Sequence, residues 1–297
     1  MSVGSCTLVS VVIVSFNSAH CLGECIRRAL APEPDIVAEV VIVDNASSDR
    51  SADIISGMAR EGLPVRLIKN TANLGFARAC NQGAQDSRGQ YLLFLNPDCF
   101  LEPQALGLTV AALDDHPEAA AAGGLVLNPD GSVQRGCRRR IPDPVQSFYR
   151  VTGLSRLAPS QFADFDRQDQ PLPAGEEAVE AISGSYLLIR RVDFEALGGW
   201  DEGYFLHCED LDLCQRIRDR GRSILFVPQA RAVHLKGESS RRAPVRTEWH
   251  KHRGMLRFYR KFQARNYGTL MTGLVVSGVA LHFLVRAAGS VLGLRAR

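Results

Sequence analysis

Apolar and polar positions along the first half of the chain fall into blocks whose period switches regularly between that of a strand and that of a helix. Val9 to Ser15 is an apolar run of strand length, and Ala19 to Leu30 repeats apolar residues at helical spacing. Glu39 to Val43 is a second strand run, closed by Asp44-Asn45-Ala46-Ser47-Ser48-Asp49. The pattern then predicts a helix over Asp49 to Arg60, a strand over Val65 to Lys69, a helix from Asn73-Leu74-Gly75-Phe76 to about Ser87, and a strand over Tyr91 to Leu95. This is βαβ winding, an α/β chain with a largely parallel sheet. Short connections put the polar tips Ser15-Phe16-Asn17, Asp44-Asn45 and Asn73 on one sheet edge. Pro97 cannot continue a central strand, so Asp98 of Asn96-Pro97-Asp98 joins them just past a strand's carboxyl end, where open α/β sheets bind ligands.

Beyond that point a helix is predicted over Pro103 to His116, a strand over Ala119 to Leu127 and a turn at Asn128-Pro129-Asp130-Gly131. Gly136 to Glu177 lacks periodicity and is rich in Pro, Arg, Asp and Gln, which suits a long excursion carrying substrate contacts or a lid. A strand over Ala181 to Arg190, a turn at Gly198 to Glu202, a helix over Asp210 to Arg220 and a strand over Ser223 to Val227 follow, and Arg231 to His234 returns to the sheet.

The last sixty residues change character. Lys236 to Arg265 holds ten Lys/Arg against two Glu, with Trp249, Leu256, Tyr259 and Phe262 on one helical face, and it leads into the apolar segment Thr269 to Val285. A membrane-associating tail, lying in the interface or spanning as a single anchor, is the expectation, with an anionic membrane surface as partner. The other readings are a buried terminal helix or a helix joining a homodimer. The adjoining apolar helix argues against nucleic acid. The chain is thus divided into a body over 1–240, with a nucleotide-binding half to about 130 and an acceptor-binding half from 131, and a helical tail over 241–297. Every residue assigned chemistry lies upstream of about Arg242, so a chain ended there is expected to stay folded and active.

Composition narrows the class. With 297 residues, 45% hydrophobic and 23% charged, the chain is of ordinary globular make-up, and its eight cysteines form no C-x-x-C pair, as suits reduced thiols in a cytoplasm. No glycine-rich phosphate loop of either standard type is present, which leaves dinucleotide binding and P-loop chemistry without support. A diphosphate meeting an acidic loop needs a divalent cation between them, so Asp98 is a candidate ligand for Mg²⁺ or Mn²⁺, with His234 a candidate second ligand or else a structural histidine. The run Phe205-Leu206-His207-Cys208-Glu209-Asp210-Leu211-Asp212 puts three carboxylates where a helix starts. Acids suit the positive end of a helix dipole, and the apolar approach through Phe205 and Leu206 implies that at least one is buried, as a base would be. Asp212 and Arg216 are spaced to pair along the helix. Trp200 and Asp201, in the turn before it, either shape a sugar-acceptor pocket by ring stacking or belong to the core.

Val-Val-Ile-Val-Ser-Phe-Asn at 11–17, Val-Asp-Asn-Ala-Ser-Ser-Asp at 43–49, Asn-Leu-Gly-Phe-Ala-Arg at 73–78, Leu-Asn-Pro-Asp at 95–98 and Glu-Asp-Leu-Asp-Leu at 209–213 together resemble glycosyltransferase family 2, most closely its rhamnosyltransferase-like branch. The resemblance spans about Val9 to His234. It implies a GT-A fold, Rossmann-like with flanking helices, and sugar transfer from a nucleotide diphosphate donor with inversion, to a lipid-linked or polymeric glycan at the cytoplasmic face of the membrane. It implies that Asp44 binds the donor's pyrimidine base and that main chain at Ser15, Phe16 and Asn17 frames the nucleotide, with Asn73 and Arg78 on the same nucleotide-sugar side. Asn96 and Asp98 would fill the D-x-D element, its first carboxylate here an amide. Asp210 would be the general base, Glu209 would meet an acceptor hydroxyl or neighbouring main chain, and His234 would join the cation. The alternatives of another class are a sugar nucleotidyltransferase, whose glycine- and arginine-rich first loop is missing at Ser15-Phe16-Asn17-Ser18, and a membrane-docked carbohydrate-binding protein without turnover.

Overall fold

The structure, a computed structural model, describes residues 9–30, 36–144, 170–235 and 244–291. The first half follows the apolar pattern. Strands β1 (Val9–Ser15), β2 (Val37–Asp44), β3 (Val65–Lys69) and β4 (Tyr91–Leu95) alternate with helices α1 (Ala19–Leu30), α2 (Ser51–Arg60) and α3 (Phe76–Gln85). The strands pair in parallel in the order β3-β2-β1-β4. Every residue of β1 and β4 is buried, which is why both read as unbroken apolar runs instead of alternating ones.

After β4 the strand directions mix. The chain continues through β5 (Cys99–Leu101), α4 (Ala105–Asp115), β6 (Ala119–Leu127), β7 (Arg138–Arg139), β8 (Glu177–Ala178), β9 (Ala181–Ile182), β10 (Tyr186–Arg190), α5 (Arg191–Ala196), α6 (Glu209–Asp219) and β11 (Ser223–His234). The sheet extends as β4-β10-β6-β11-β5, with β10 antiparallel to both neighbours, β6 and β11 parallel, and β5 antiparallel to β11. The strand expected over Ala181 to Arg190 is two: β9 leaves the main sheet to pair with β7, and the chain re-enters at β10 after turning through Ser183-Gly184-Ser185. At Gly184 a Cβ would lie 3.3 Å from that of Asp210, so the break brings the backbone against the acidic helix. Strand β11 runs unbroken to His234 by way of a bulge between Val227 and Arg231 that accommodates Pro228. The bulge presses on β6, where a side chain at Gly124 would meet the Ala230 carbonyl and the Tyr186 ring at 2.0 and 2.5 Å.

The tail holds the largest departure from expectation. Residues 236–243 of its basic stretch, like 145–169 of the excursion, lie outside the described residues. Helix α7 (Pro244–Phe258), a π turn (Tyr259–Gln263) and helix α8 (Thr269–Val291) follow. Phe258 and Tyr259 are buried, and Phe258 belongs to the core of the body. His250 stacks on Phe205 at 4.0 Å, and Gly254 approaches the loop before α6 so closely that a Cβ would stand 2.4 Å from the His207 carbonyl. Lys261 lies 2.6 Å from both Asp201 and the wholly buried Asp212, and Arg257 reaches Asp201 at 2.7 Å. Helix α7 and the π turn thus pack on the body, and α8 packs back on them through His252–His282 (2.9 Å), Trp249–Phe283 (5.6 Å) and Tyr259–Thr272 (3.0 Å). Leu270, Leu274, Leu281, Leu284 and Val285 of α8 are all more than 60% exposed.

A chain ended before Arg242 is accordingly expected to lose its cooperative thermal transition, because it strips Phe258 from the core and Lys261 from a buried carboxylate. A chain ended at Gly268 is expected to keep it, and Gly254→Val in the full chain should lower stability by about 2 kcal/mol or more through overpacking against His207. Circular dichroism melts of the three chains check this; a normal melt for the shorter one would show that α7 is dispensable.

Candidate active site

The carboxyl ends of β1, β2 and β4 bring their polar tips together. Asn17, at φ 55°, accepts hydrogen bonds from the Ser48 amide (2.8 Å) and hydroxyl (3.0 Å), and its own amide donates to Ser47 Oγ at 2.9 Å. The first two loops are thereby locked together, with Ser15 buried beneath them and Phe16 half-buried beside it. Asn45 Nδ2 donates to Asn73 Oδ1 and to the Gly75 carbonyl, both at 3.1 Å, which fixes the third loop to the second. Asp44 closes β2, fully buried. One of its oxygens accepts from the Ser47 amide at 3.2 Å, and the other, Oδ1, has no hydrogen-bond partner among the described residues. A buried orphan acceptor is costly to keep and is suited to a ligand's N–H.

Asp98 and His234 meet although 136 residues separate them, because β5 lies antiparallel on β11 with Cys99 opposite His234. Asp98 Oδ1 is 3.0 Å from His234 Nε2, and Asn96 Nδ2 is 3.3 Å from the same nitrogen. Gln134, buried and not foreseen, sets the imidazole. Its Nε2 donates to the His234 carbonyl at 3.1 Å, which turns Oε1 toward His234 Nδ1 at 2.7 Å. With Nδ1 donating to Gln134, Nε2 is the ring nitrogen turned toward Asp98 and Asn96. A carboxylate and an imidazole nitrogen thus meet at one point, two groups that could share a divalent cation, and among the described residues no third His, Cys, Asp or Glu joins them.

Asp210 and Glu209 open α6, at the positive end of its dipole. His207 and Cys208 precede them at φ 75° and 69°, two successive left-handed non-glycine residues held in place by α7. Asp210 Oδ2 takes a short ion pair from Arg139 and a hydrogen bond from the Gly184 amide at 3.2 Å, while Oδ1 accepts from the Leu211 amide at 2.8 Å. Desolvation pushes the Asp210 carboxyl up, but Arg139, His207 and the two amides outweigh it and hold it below the usual carboxylate range. Desolvation lowers His207 to about 4, so at neutral pH it is uncharged and Arg139 is the charge that matters. Glu209 goes the other way. Desolvation and the adjacent Asp210 charge raise it to about 8, and its Oε2 is buried with no hydrogen-bond partner among the described residues. At neutral pH the site holds a carboxylate beside a neutral carboxylic acid, the pairing by which one site offers an acceptor and a donor of protons.

Three expected contacts lie elsewhere. The Trp200 ring is closed to a sugar: it is 1% exposed and edge-on to Phe94 (5.0 Å) and Phe76 (5.8 Å), because the turn that carries it folds into the core behind β4. Asp201 is occupied by the tail cations Arg257 and Lys261. Arg78 stands exposed on α3, 3.7 Å from Glu202, and makes no contact with the Asp44 and Asp98 loops in this structure. Asp212 pairs with Arg216 at 2.5 Å, as its spacing implied.

The glycosyl transferase family 2 model matches residues 10–175 of the chain. N-acetylglucosaminyl-diphospho-decaprenol L-rhamnosyltransferase of Mycobacterium tuberculosis is 30% identical over 250 residues, covering 80% of this chain and 79% of that one. The chain belongs to glycosyltransferase family 2. Rhamnosyltransferase WbbL of Escherichia coli is 27% identical over 154 residues, about half of each chain. The mannosyltransferase PcManGT of Pyrobaculum calidifontis, solved with GDP-Man and Mn²⁺, superposes over 96% of this chain and 74% of its own with a TM-score of 0.58 at 19% identity, which carries the GT-A fold.

Two contacts to this family 2 transferase's motif residues come from outside the motifs, Arg139 on Asp210 and Gln134 on His234. Arg139 stood in a visible run, Arg138-Arg139-Arg140, whose partner only the β7–β9 ribbon supplies. The raised Glu209 has a measurable consequence. The folded state keeps a proton that the unfolded chain gives up above about 4.5, so this group's contribution to stability is full below that pH and is lost as pH rises to about 8. Glu209→Gln removes the dependence. Urea melts at pH 5 and pH 8 should show the variant gaining on the order of 2 kcal/mol over the parent between the two; parallel curves would mean that Glu209 titrates normally.

Proposed function

We propose that the enzyme transfers a sugar, rhamnose by likeness to its named relatives, from a nucleotide diphosphate donor to a lipid-diphosphate-linked glycan, with inversion, in cell-surface glycan synthesis. One observation carries the reading: Asp210, at the mouth of α6, is held by Arg139 and by the Gly184 and Leu211 amides, and Ser185 beside Gly184 ties this turn to the Asn96–Asp98 loop that meets His234. Inversion needs a base on the face opposite the leaving group and no second carboxylic acid to protonate a diphosphate. Asp210 takes the acceptor hydroxyl's proton, and the Glu209 carboxylic acid donates a hydrogen bond that holds the acceptor in line. The orphan Oδ1 of Asp44 is suited to the N–H of a pyrimidine base, with the Ser15–Asn17 main chain framing the nucleotide. Asp98 and His234, steadied by Gln134, would hold a divalent cation, which neutralises charge on the departing diphosphate. The lipid-linked acceptor is supported by the mycobacterial relative, whose name gives a diphospho-decaprenol substrate. An apolar helix of 22 residues, none of it buried, supports attachment at the cytoplasmic membrane face as a peripheral or single-anchor protein.

Asp210→Asn is expected to bind donor normally and lower turnover by about 10²-fold or more, read as kcat with a panel of nucleotide sugars. Near-normal kcat would remove Asp210 as the base. Asp98→Ala should weaken nucleotide diphosphate binding in Mn²⁺ and erase most of the difference between Mn²⁺ and chelator by calorimetry; an undiminished metal response would exclude Asp98. On anionic vesicles, high salt should release only part of the full chain, since screening leaves burial of the α8 leucines intact. Complete release would confine α8 to surface docking.

A further inference from the structure

Next to Arg139 the body contains an open cavity of about 530 Å³ whose lining does not include Asp210, Asp98 or His234. It runs along α6 from Arg139 toward the helix's far end, and its lining includes Arg139, Arg140, Arg218 and Arg222 against one carboxylate, Glu180. Arg222 is committed to Asp193 (2.7 Å) and to the Pro117 carbonyl (2.8 Å), which makes it a wall. Glu180 accepts the Ile141 amide at 2.9 Å and makes a loose ion pair with Arg218 at 3.8 Å, so a single carboxylate is set against the guanidinium groups of the lining. Arg140 is exposed to the cavity mouth. A concave surface with this excess of guanidinium selects an anion with several oxygens, for which the planar fork of arginine is the matching donor.

One residue joins the cavity to the chemistry. Arg139 lines it and also holds Asp210 through the short ion pair. Eight residues separate Asp210 from Arg218 on α6, a rise of about 12 Å, comparable with the length of a hexose bearing a diphosphate at its reducing end. We propose that this cavity seats the diphosphate of the lipid-linked acceptor, and that the seated diphosphate draws Arg139 off Asp210 and frees the base. This rests on the reading of Asp210 as the base. Without acceptor, Arg139 keeps the carboxylate occupied, so a bound donor faces water with no free base and is spared hydrolysis. With acceptor, Arg139 turns to the diphosphate, and the Asp210 carboxylate becomes both unoccupied and more basic at the moment the hydroxyl arrives.

The test uses the full chain and inorganic pyrophosphate in chelator, where the Asp98–His234 site has no cation through which to hold a diphosphate. Calorimetry should show binding that the double variant Arg140→Ala, Arg218→Ala weakens at least tenfold and that Asp98→Ala leaves within twofold. Both arginines are exposed, so the double variant is expected to fold. With a lipid-diphosphate acceptor it should raise the acceptor KM about tenfold with the donor KM held, and Arg139→Met should raise the ratio of donor hydrolysis to transfer. Undiminished pyrophosphate binding in the double variant overturns the assignment, as does loss of that binding in Asp98→Ala, which would place it in the donor site. A double variant that loses anionic vesicle binding while its acceptor KM is unchanged also overturns it, in favour of a lipid headgroup. Asp210→Asn with normal turnover would defeat the base instead, and leave the pyrophosphate result standing.

Discussion

Adjacent carboxylates on the first turn of a desolvated helix cannot both be charged, and the environment of Glu209 and Asp210 decides between them. The Gly184 amide, the Leu211 amide and the Arg139 guanidinium all converge on Asp210 and leave Glu209 with a buried oxygen unpartnered. Charge therefore settles on Asp210, and Glu209 keeps its proton. Much of the second half of the chain serves that outcome. The turn between β9 and β10 exists to bring Gly184 against Asp210, the β7–β9 ribbon delivers Arg139, and α7 holds His207 and Cys208 in the left-handed backbone that aims the pair.

The two halves of the sheet divide the work. Parallel strands at one side present loops whose amides and side chains hydrogen-bond to each other, which ties that edge together. The antiparallel insertion of β10 and the return of β11 then carry Ser185 and His234 to the same edge, the first accepting the Asn96 amide at 3.0 Å and the second meeting Asp98. Rigid strands fix the positions of the groups; loop chemistry supplies their identity.

The tail packs onto this arrangement. Lys261 and Arg257 bind Asp201 and Asp212, and Gly254 seats on the loop carrying His207, so the helix leading to α8 is the same one that buttresses the acidic pair. A single packed element thus runs from the apolar helix to the base.

Local chemistry made much of this protein legible from the chain alone. Unbroken apolar runs fixed β1, β4 and β6 as doubly buried strands, Pro97 ended a strand where it had to, and the i,i+4 spacing of Asp212 and Arg216 gave their ion pair. The site loops were legible for the same reason, since short connections in a wound sheet leave their tips only one edge to occupy. Pairings between distant segments were not legible. Arg139 reaches Asp210 across 71 residues and Gln134 reaches His234 across 100, and neither contact leaves a period or spacing in the sequence. Trp200 and α7 show the limit from the other side. An aromatic beside an acid allowed either a pocket wall or core, and a basic amphipathic helix read as a surface feature, whereas packing decided that the ring fills the core behind β4 and that Arg257 and Lys261 pair with Asp201 and Asp212. Sequence determined which segments could be strands, helices and polar tips, because those depend on neighbours in the chain. Tertiary structure decided which carboxylate is charged and which helix belongs to the body, because those depend on neighbours in space.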